Sequence, residues 1–109
     1  MPQHPDAGRV ELTDWATTGS AIRAIRETVF IHEQGVPVEL EWDGLDSSCA
    51  HVLAWNDRGE AIGTARMQQN GTIGRMAVLK DWRGRGVGRA LLQTLLELAT
   101  RQGLARVTL

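Results

Sequence analysis

The sequence has no tyrosine, one phenylalanine, one cysteine and one lysine, and no charge of either sign in excess. A lone Cys49 excludes an internal disulfide framework and cannot build a cysteine-based zinc site, so a reducing, cytoplasmic setting is expected. His4, His32 and His51 lack the spacing of metal ligands, and no metal is expected. Twelve basic residues against 13 acidic ones leave a formal charge of -1, which gives no global field for nucleic acid or anionic lipid. Neither is expected as a partner. Met1 to Leu12 lacks the apolar stretch of a signal peptide, and no run is long enough to span a bilayer.

What is present is a chain of 109 residues, 42% of them hydrophobic, enough for the core of one domain over 1–109. Val10 and Leu12 alternate with polar neighbours as a first strand, followed by turn and helix-start chemistry at Thr13 to Thr18. Ile22, Ile25, Val29 and Phe30 fall at helical spacing and predict an amphipathic helix over Ala21 to Glu33, stopped by Gly35 and Pro37. Val36 to Ser48, with Glu39, Glu41, Asp43 and Asp46, reads as an acidic loop over a cleft, too polar for a core element.

Three strands are predicted at Cys49 to Trp55, Ala61 to Met67 and Thr72 to Leu79, as an antiparallel meander. Asn70-Gly71 predicts a type I′ hairpin turn. Val87, Leu91, Leu92, Leu95, Leu96, Leu98 and Ala99 then mark a strongly apolar helix ending at Gly103. Ala105 to Leu109 begins another strand. Following a helical crossover it should run parallel to the preceding one and need cover on its far side. The expectation is a fragment of a longer fold, or a second chain completing it by dimerisation or strand exchange at Arg106 to Leu109.

The chemistry concentrates in Arg83-Gly84-Arg85-Gly86-Val87-Gly88-Arg89, between a strand and the apolar helix. Glycines allow close backbone approach, and the unpaired N–H groups of a helix start favour an anion such as a pyrophosphate. Arg83, Arg85 and Arg89 add positive charge. A P-loop requires lysine followed by serine or threonine, and the only lysine, Lys80, precedes Asp81. The dinucleotide fingerprint fails because Arg89 or Leu91 stands where its third glycine belongs. The pattern R-x-x-G-x-G does fit, at Arg83, Gly86 and Gly88.

Met76 to Leu98 resembles the acetyl-CoA-binding motif of the GNAT N-acetyltransferase superfamily, consensus [QR]-x-x-G-x-[GA] between strand and helix. Phe30 to Pro37 and Glu41 to Asp46 further resemble a small bacterial GNAT subgroup with unassigned substrates. The resemblance implies an α/β (α+β) fold, a mixed, mostly antiparallel sheet flanked by helices, with strands splaying beyond Val78. Family domains run to about 140 residues, so a C-terminal helix and two strands, often with a tyrosine acid, would be missing.

The resemblance also implies that Arg83, Gly84, Arg85, Gly86, Val87, Gly88 and Arg89 hold the pyrophosphate of acetyl-CoA. Met76, Ala77 and Val78 would pair with pantetheine like an added strand. An amine acceptor, small molecule or peptide, would attack the thioester directly, with a backbone N–H near Val78 stabilising the oxyanion. Glu33, Glu41 and Asp43 are the candidates for the base, or for an acidic rim attracting a cationic amine. A non-catalytic acyl-CoA-binding module on the same fold, and a plain structural domain, are the alternatives.

Cys49 and His51 share a strand face and could form a nucleophilic pair, although a small buried hydrophobe is the plainer reading of the cysteine. Trp42, in the acidic loop, is a candidate substrate contact beside Trp15, Trp55 and Trp82, which packing explains.

Overall fold

A computed structural model describes residues 8–109, so His4 lies outside the described residues. Strand β1 (Arg9–Thr13) leads into helix α1 (Trp15–Arg26), which continues as a π-helical segment, Glu27–Glu33. A four-residue helix, α2 (Val38–Glu41), and a single 3-10 turn at Asp46–Ser48 precede strands β2 (Ala50–Trp55), β3 (Ala61–Met67) and β4 (Ile73–Val78). A 3-10 turn at Lys80–Trp82 then brings the chain to helix α3 (Val87–Arg101).

The strands form one antiparallel sheet in the order β1-β2-β3-β4. Helices cover both faces. Val52, Ala54, Ile62 and Met67 pack with Val87, Leu91, Leu95 and Ala99 of α3, while Leu53 and Ala77 pack with Ile22, Ile25 and Val29 of the α1 side. Adjacent residues of β2 thus enter opposite cores, which is why Val52, Leu53 and Ala54 read as a continuous apolar run. Gly63 permits the α3 contact, because a Cβ there would lie 3.1 Å from Val87 and 3.2 Å from Leu91.

Three sequence expectations are corrected. The first helix begins at Trp15, six residues before Ala21, because Asp14 Oδ1 accepts the Thr17 N–H at 2.8 Å and supplies an N-cap. The Asn70-Gly71 hairpin is not type I′. Gln68 N–H donates to Thr72 O and Gly71 N–H to Gln68 O, closing a three-residue loop in which Gly71, and not Asn70, takes positive φ. A Cβ on Gly71 would stand 2.6 Å from Arg106 O.

The third correction concerns the acidic loop, which contains buried parts. Glu41 is 3% and Asp46 6% exposed, held by Arg26 and Arg66, themselves 1% and 3% exposed. Arginines from a helix and a strand, 15 to 20 residues away in sequence, bury these two carboxylates while the rest of the segment stays exposed or half-buried.

The strand expected over Ala105 to Leu109 is reduced to one isolated bridge, parallel in direction, between Thr72 and Thr108 beside the start of β4. Ile73 N–H donates to Thr108 O at 2.7 Å and Thr108 N–H to Gly71 O at 3.0 Å. Among the described residues its pairing stays at this end of β4.

Candidate functional site at the end of β4

Gly84 and Gly86 both take left-handed backbone, at φ +76° and +85°, which turns the chain sharply enough for Val87 to open α3. No side chain caps this helix and no acidic residue lies in its first turn. Ala90 N–H makes the first intrahelical bond, to Gly86 O. The N–H groups of Val87, Gly88 and Arg89 therefore precede the ladder, at the positive end of a 15-residue helix. Gly88 sits over β4, where its Cβ would meet Met76 Sδ at 3.7 Å and Val78 at 4.0 Å. Arg85 stacks on Trp82 at 4.9 Å, and Arg85 and Arg89 are exposed. This uncapped, uncrowded cradle of donors fits a diphosphate.

The neighbouring end of β4 is oriented by its pairing with β3. Leu79 N–H donates to Ile62 O at 2.9 Å, so strand alternation directs the peptide groups of Val78 away from β3. Arg83 lies on that side. Its Nε donates to Val78 O at 2.9 Å, and its two terminal nitrogens donate to Glu33 Oε2 and Oε1 at 2.6 and 2.8 Å. The hydrogen bonds from Arg83 hold the Glu33 carboxyl below its ordinary range, and the same carboxylate raises the guanidinium.

Of the three acidic candidates, only Glu33 comes to this end of β4. Glu41 accepts from Arg26 Nε at 2.7 Å, and Asp43 accepts two bonds from Arg66. Both meet Arg75 near the start of the strand. Arg66 holds the Asp43 carboxyl far below the usual carboxylate range, chiefly through these hydrogen bonds. Asp43 therefore lacks the raised affinity for protons that suits a general base, and Glu41 is buried against Arg26. Sequence reasoning missed Arg26, Arg66, Arg75 and Asp46. The available signal was arginine inside apolar runs, since a buried guanidinium demands carboxylates.

Cys49 and His51 do not make an activated pair. Burial raises the Cys49 thiol and lowers His51. The imidazole donates Nε2–H to Asp46 O at 2.8 Å and tilts against Trp15, with ring centroids 5.6 Å apart. Trp42 is taken by the guanidinium groups of Arg23 and Arg26, 4.3 and 4.7 Å from its ring. Among the described residues no helix is long and apolar enough to cross a membrane.

A family model for the Acetyltransferase (GNAT) family matches residues 12–109. The chain belongs to the GNAT family. The Bacillus subtilis uncharacterized N-acetyltransferase YjcF is 34% identical over 82 residues, which cover 72% of this chain and 58% of the relative. The GNAT chain thus spans somewhat more than half the length of that curated relative. Among solved structures, Escherichia coli ElaA matches with a TM-score of 0.78 at 26% identity, over 90% of this chain and 73% of ElaA. An acyl-CoA N-acyltransferase from Pseudomonas aeruginosa matches with 0.76 at 29% identity, over 89% and 73%. The mixed α/β architecture with its antiparallel sheet is the GNAT fold.

Proposed function

We propose that this GNAT chain binds acetyl-CoA and transfers its acetyl group to an amine by direct attack. The observation that carries the reading is the juxtaposition of the uncapped α3 start with the outward-facing Val78 peptide, joined through Arg83. The N–H groups from Gly84 to Arg89 would hold the diphosphate, with Arg85 and Arg89 beside them. Val78, with Met76 beside it, would hold the pantetheine along the free edge of β4, whereas Ala77, opposite Thr64, turns its peptide groups toward β3.

Bound acetyl-CoA would supply a thioester whose carbonyl carbon accepts the nitrogen of the neutral amine. As the C–S bond breaks, CoA would leave as the thiolate, and the proton lost from nitrogen would pass through water to the sulfur. Val78 N–H, which faces away from β3, would donate to the carbonyl oxygen as it gains negative charge. Glu33 is the carboxylate for the acceptor side. Ionised through its pairing with Arg83, it suits holding a cationic amine by charge, while the amine's proton would leave to water. The acceptor's structure does not follow from the fold.

Calorimetric titration of the chain with acetyl-CoA, beside Gly86→Glu, tests this reading. Saturable binding that disappears in the variant supports it, because the added carboxylate repels the diphosphate and strains the left-handed turn. A parent chain that binds no acetyl-CoA overturns it. Release of free CoA only when amines are added separates transfer from mere binding.

A further inference from the structure

Strand β4 carries one residue too many. Thr64 faces Ala77 and Arg66 faces Gly74, so Arg75 and Met76 together oppose Ala65. This bulge decides which peptide groups of β4 face outward, since a one-residue slip would exchange the orientations of Ala77 and Val78. Arg75 is the only non-glycine at positive φ among the described residues, at +46°. A Cβ is crowded in that conformation, so the surroundings must hold it there.

Those surroundings are the acidic loop. Arg75 Nη2 donates to Leu40 O at 3.3 Å, Glu41 O at 3.2 Å and Asp43 Oδ2 at 3.3 Å. Its Nε is buried without a hydrogen bond, 3.5 Å from Glu41 Oε2. The loop is itself fixed, because Arg26 engages Glu41 and Asp46 while Arg66 engages Asp43 and Asp46. Arg66 also belongs to β3, the strand against which the bulge forms.

We infer that Glu41 and Asp43 are positioning residues: through Arg75 they clamp the β4 bulge and so keep the peptide groups of Val78 facing outward, toward the acyl donor. What those peptides bind rests on the proposed function, whereas the clamp stands on the ion pairs and the backbone alone. Two of the carboxylates that resemble a base from sequence thereby act at a distance, by fixing the backbone that meets the thioester.

The test compares the parent with Arg75→Gly, Arg75→Lys and Asp43→Asn. Amide hydrogen exchange is followed by NMR, and binding of acetyl-CoA and of CoA by calorimetry. Arg75→Gly allows positive φ without strain, so the fold is kept while the clamp is lost. Protection of the β4 amides should fall at least about tenfold, with the β1–β2 pair unchanged. The preference for acetyl-CoA over CoA should shrink by about two- to tenfold, the value of one lost hydrogen bond between neutral groups. Asp43→Asn should move both readouts the same way and Arg75→Lys should restore them in part. Unchanged β4 protection in both Arg75→Gly and Asp43→Asn overturns the clamp, as does loss spread evenly over the sheet. If the parent binds neither nucleotide, the acetyl-CoA reading fails while exchange still decides the clamp.

Discussion

Arg83 and Glu33 are 50 residues apart in sequence and meet through two hydrogen bonds of 2.6 and 2.8 Å, while Arg83 Nε holds Val78 O at 2.9 Å. One guanidinium thus ties the end of the π-helical segment to the end of β4. The pair is partly exposed, with side-chain exposures of 41% and 35%, so solvent screens it and its worth lies in geometry more than in stability.

Glu33→Gln is therefore expected to leave the thermal midpoint nearly unchanged while lowering acetyl transfer roughly ten- to hundredfold, the value of a charged hydrogen bond to the amine. Steady-state kinetics with any amine that proves an acceptor checks this. Full activity in the variant would remove Glu33 from the site.

The buried ion pairs behave differently. Glu41→Ala leaves the guanidinium of Arg26, 1% exposed, without its Nε partner, and should destabilise the fold by about 3–5 kcal/mol. Replacing both residues, Arg26→Met with Glu41→Leu, should recover much of that loss. Urea unfolding of the three proteins measures the difference.

Acid should weaken the Asp43 and Glu33 ion pairs only below the ordinary carboxylate range. The Asp43 and Glu33 carboxyls are both lowered in the fold by arginine. Their contribution is complete above the ordinary carboxylate range and is lost as pH falls through that range toward their lowered folded values. Loss of Trp42 fluorescence change on acidification in Asp43→Asn, with the change retained in the parent, is the expected result. An identical acid profile for the two proteins would show that Asp43 adds nothing.

Cys49 should behave as a packing residue. It is 7% exposed and burial raises its thiol, so an aromatic disulfide reagent should react slowly until the protein unfolds. Cys49→Ala should bind acetyl-CoA as the parent does. Fast modification of native protein accompanied by lost binding would reverse this assignment.

Gly63→Ala tests the packing that sets α3 on the sheet. Its Cβ would press on Val87 and Leu91 at 3.1 and 3.2 Å, and overpacking of this kind costs about 1–3 kcal/mol. The tilt of α3 would change with it, so weaker acetyl-CoA binding should accompany the lower midpoint.

The strands, the α3 helix and the glycine-rich turn were legible because their signals are local. Val87, Leu91 and Leu95 repeat at helical spacing, and Ala50 to Trp55 and Ala61 to Met67 are bounded by turn residues. The parallel course of the last segment follows from connectivity, since a strand after a helical crossover returns in the same direction. Helix-start chemistry at Thr13 to Thr18 was legible, but the helix was expected only from Ala21, because the polar stretch after the Asp14 cap carries little periodicity.

By itself the sequence determined the order of elements, the two apolar faces and a turn whose glycines leave a helix start open to an anion. Only the tertiary structure decided what the charges do. Glu33, Glu41 and Asp43 look alike along the chain, yet Glu33 meets Arg83 at the end of β4 while the other two meet Arg26, Arg66 and Arg75. Periodicity reports which face a side chain occupies, but an ion pair requires the distance between residues far apart in sequence. Folding sets that distance, and burial then makes each pairing matter.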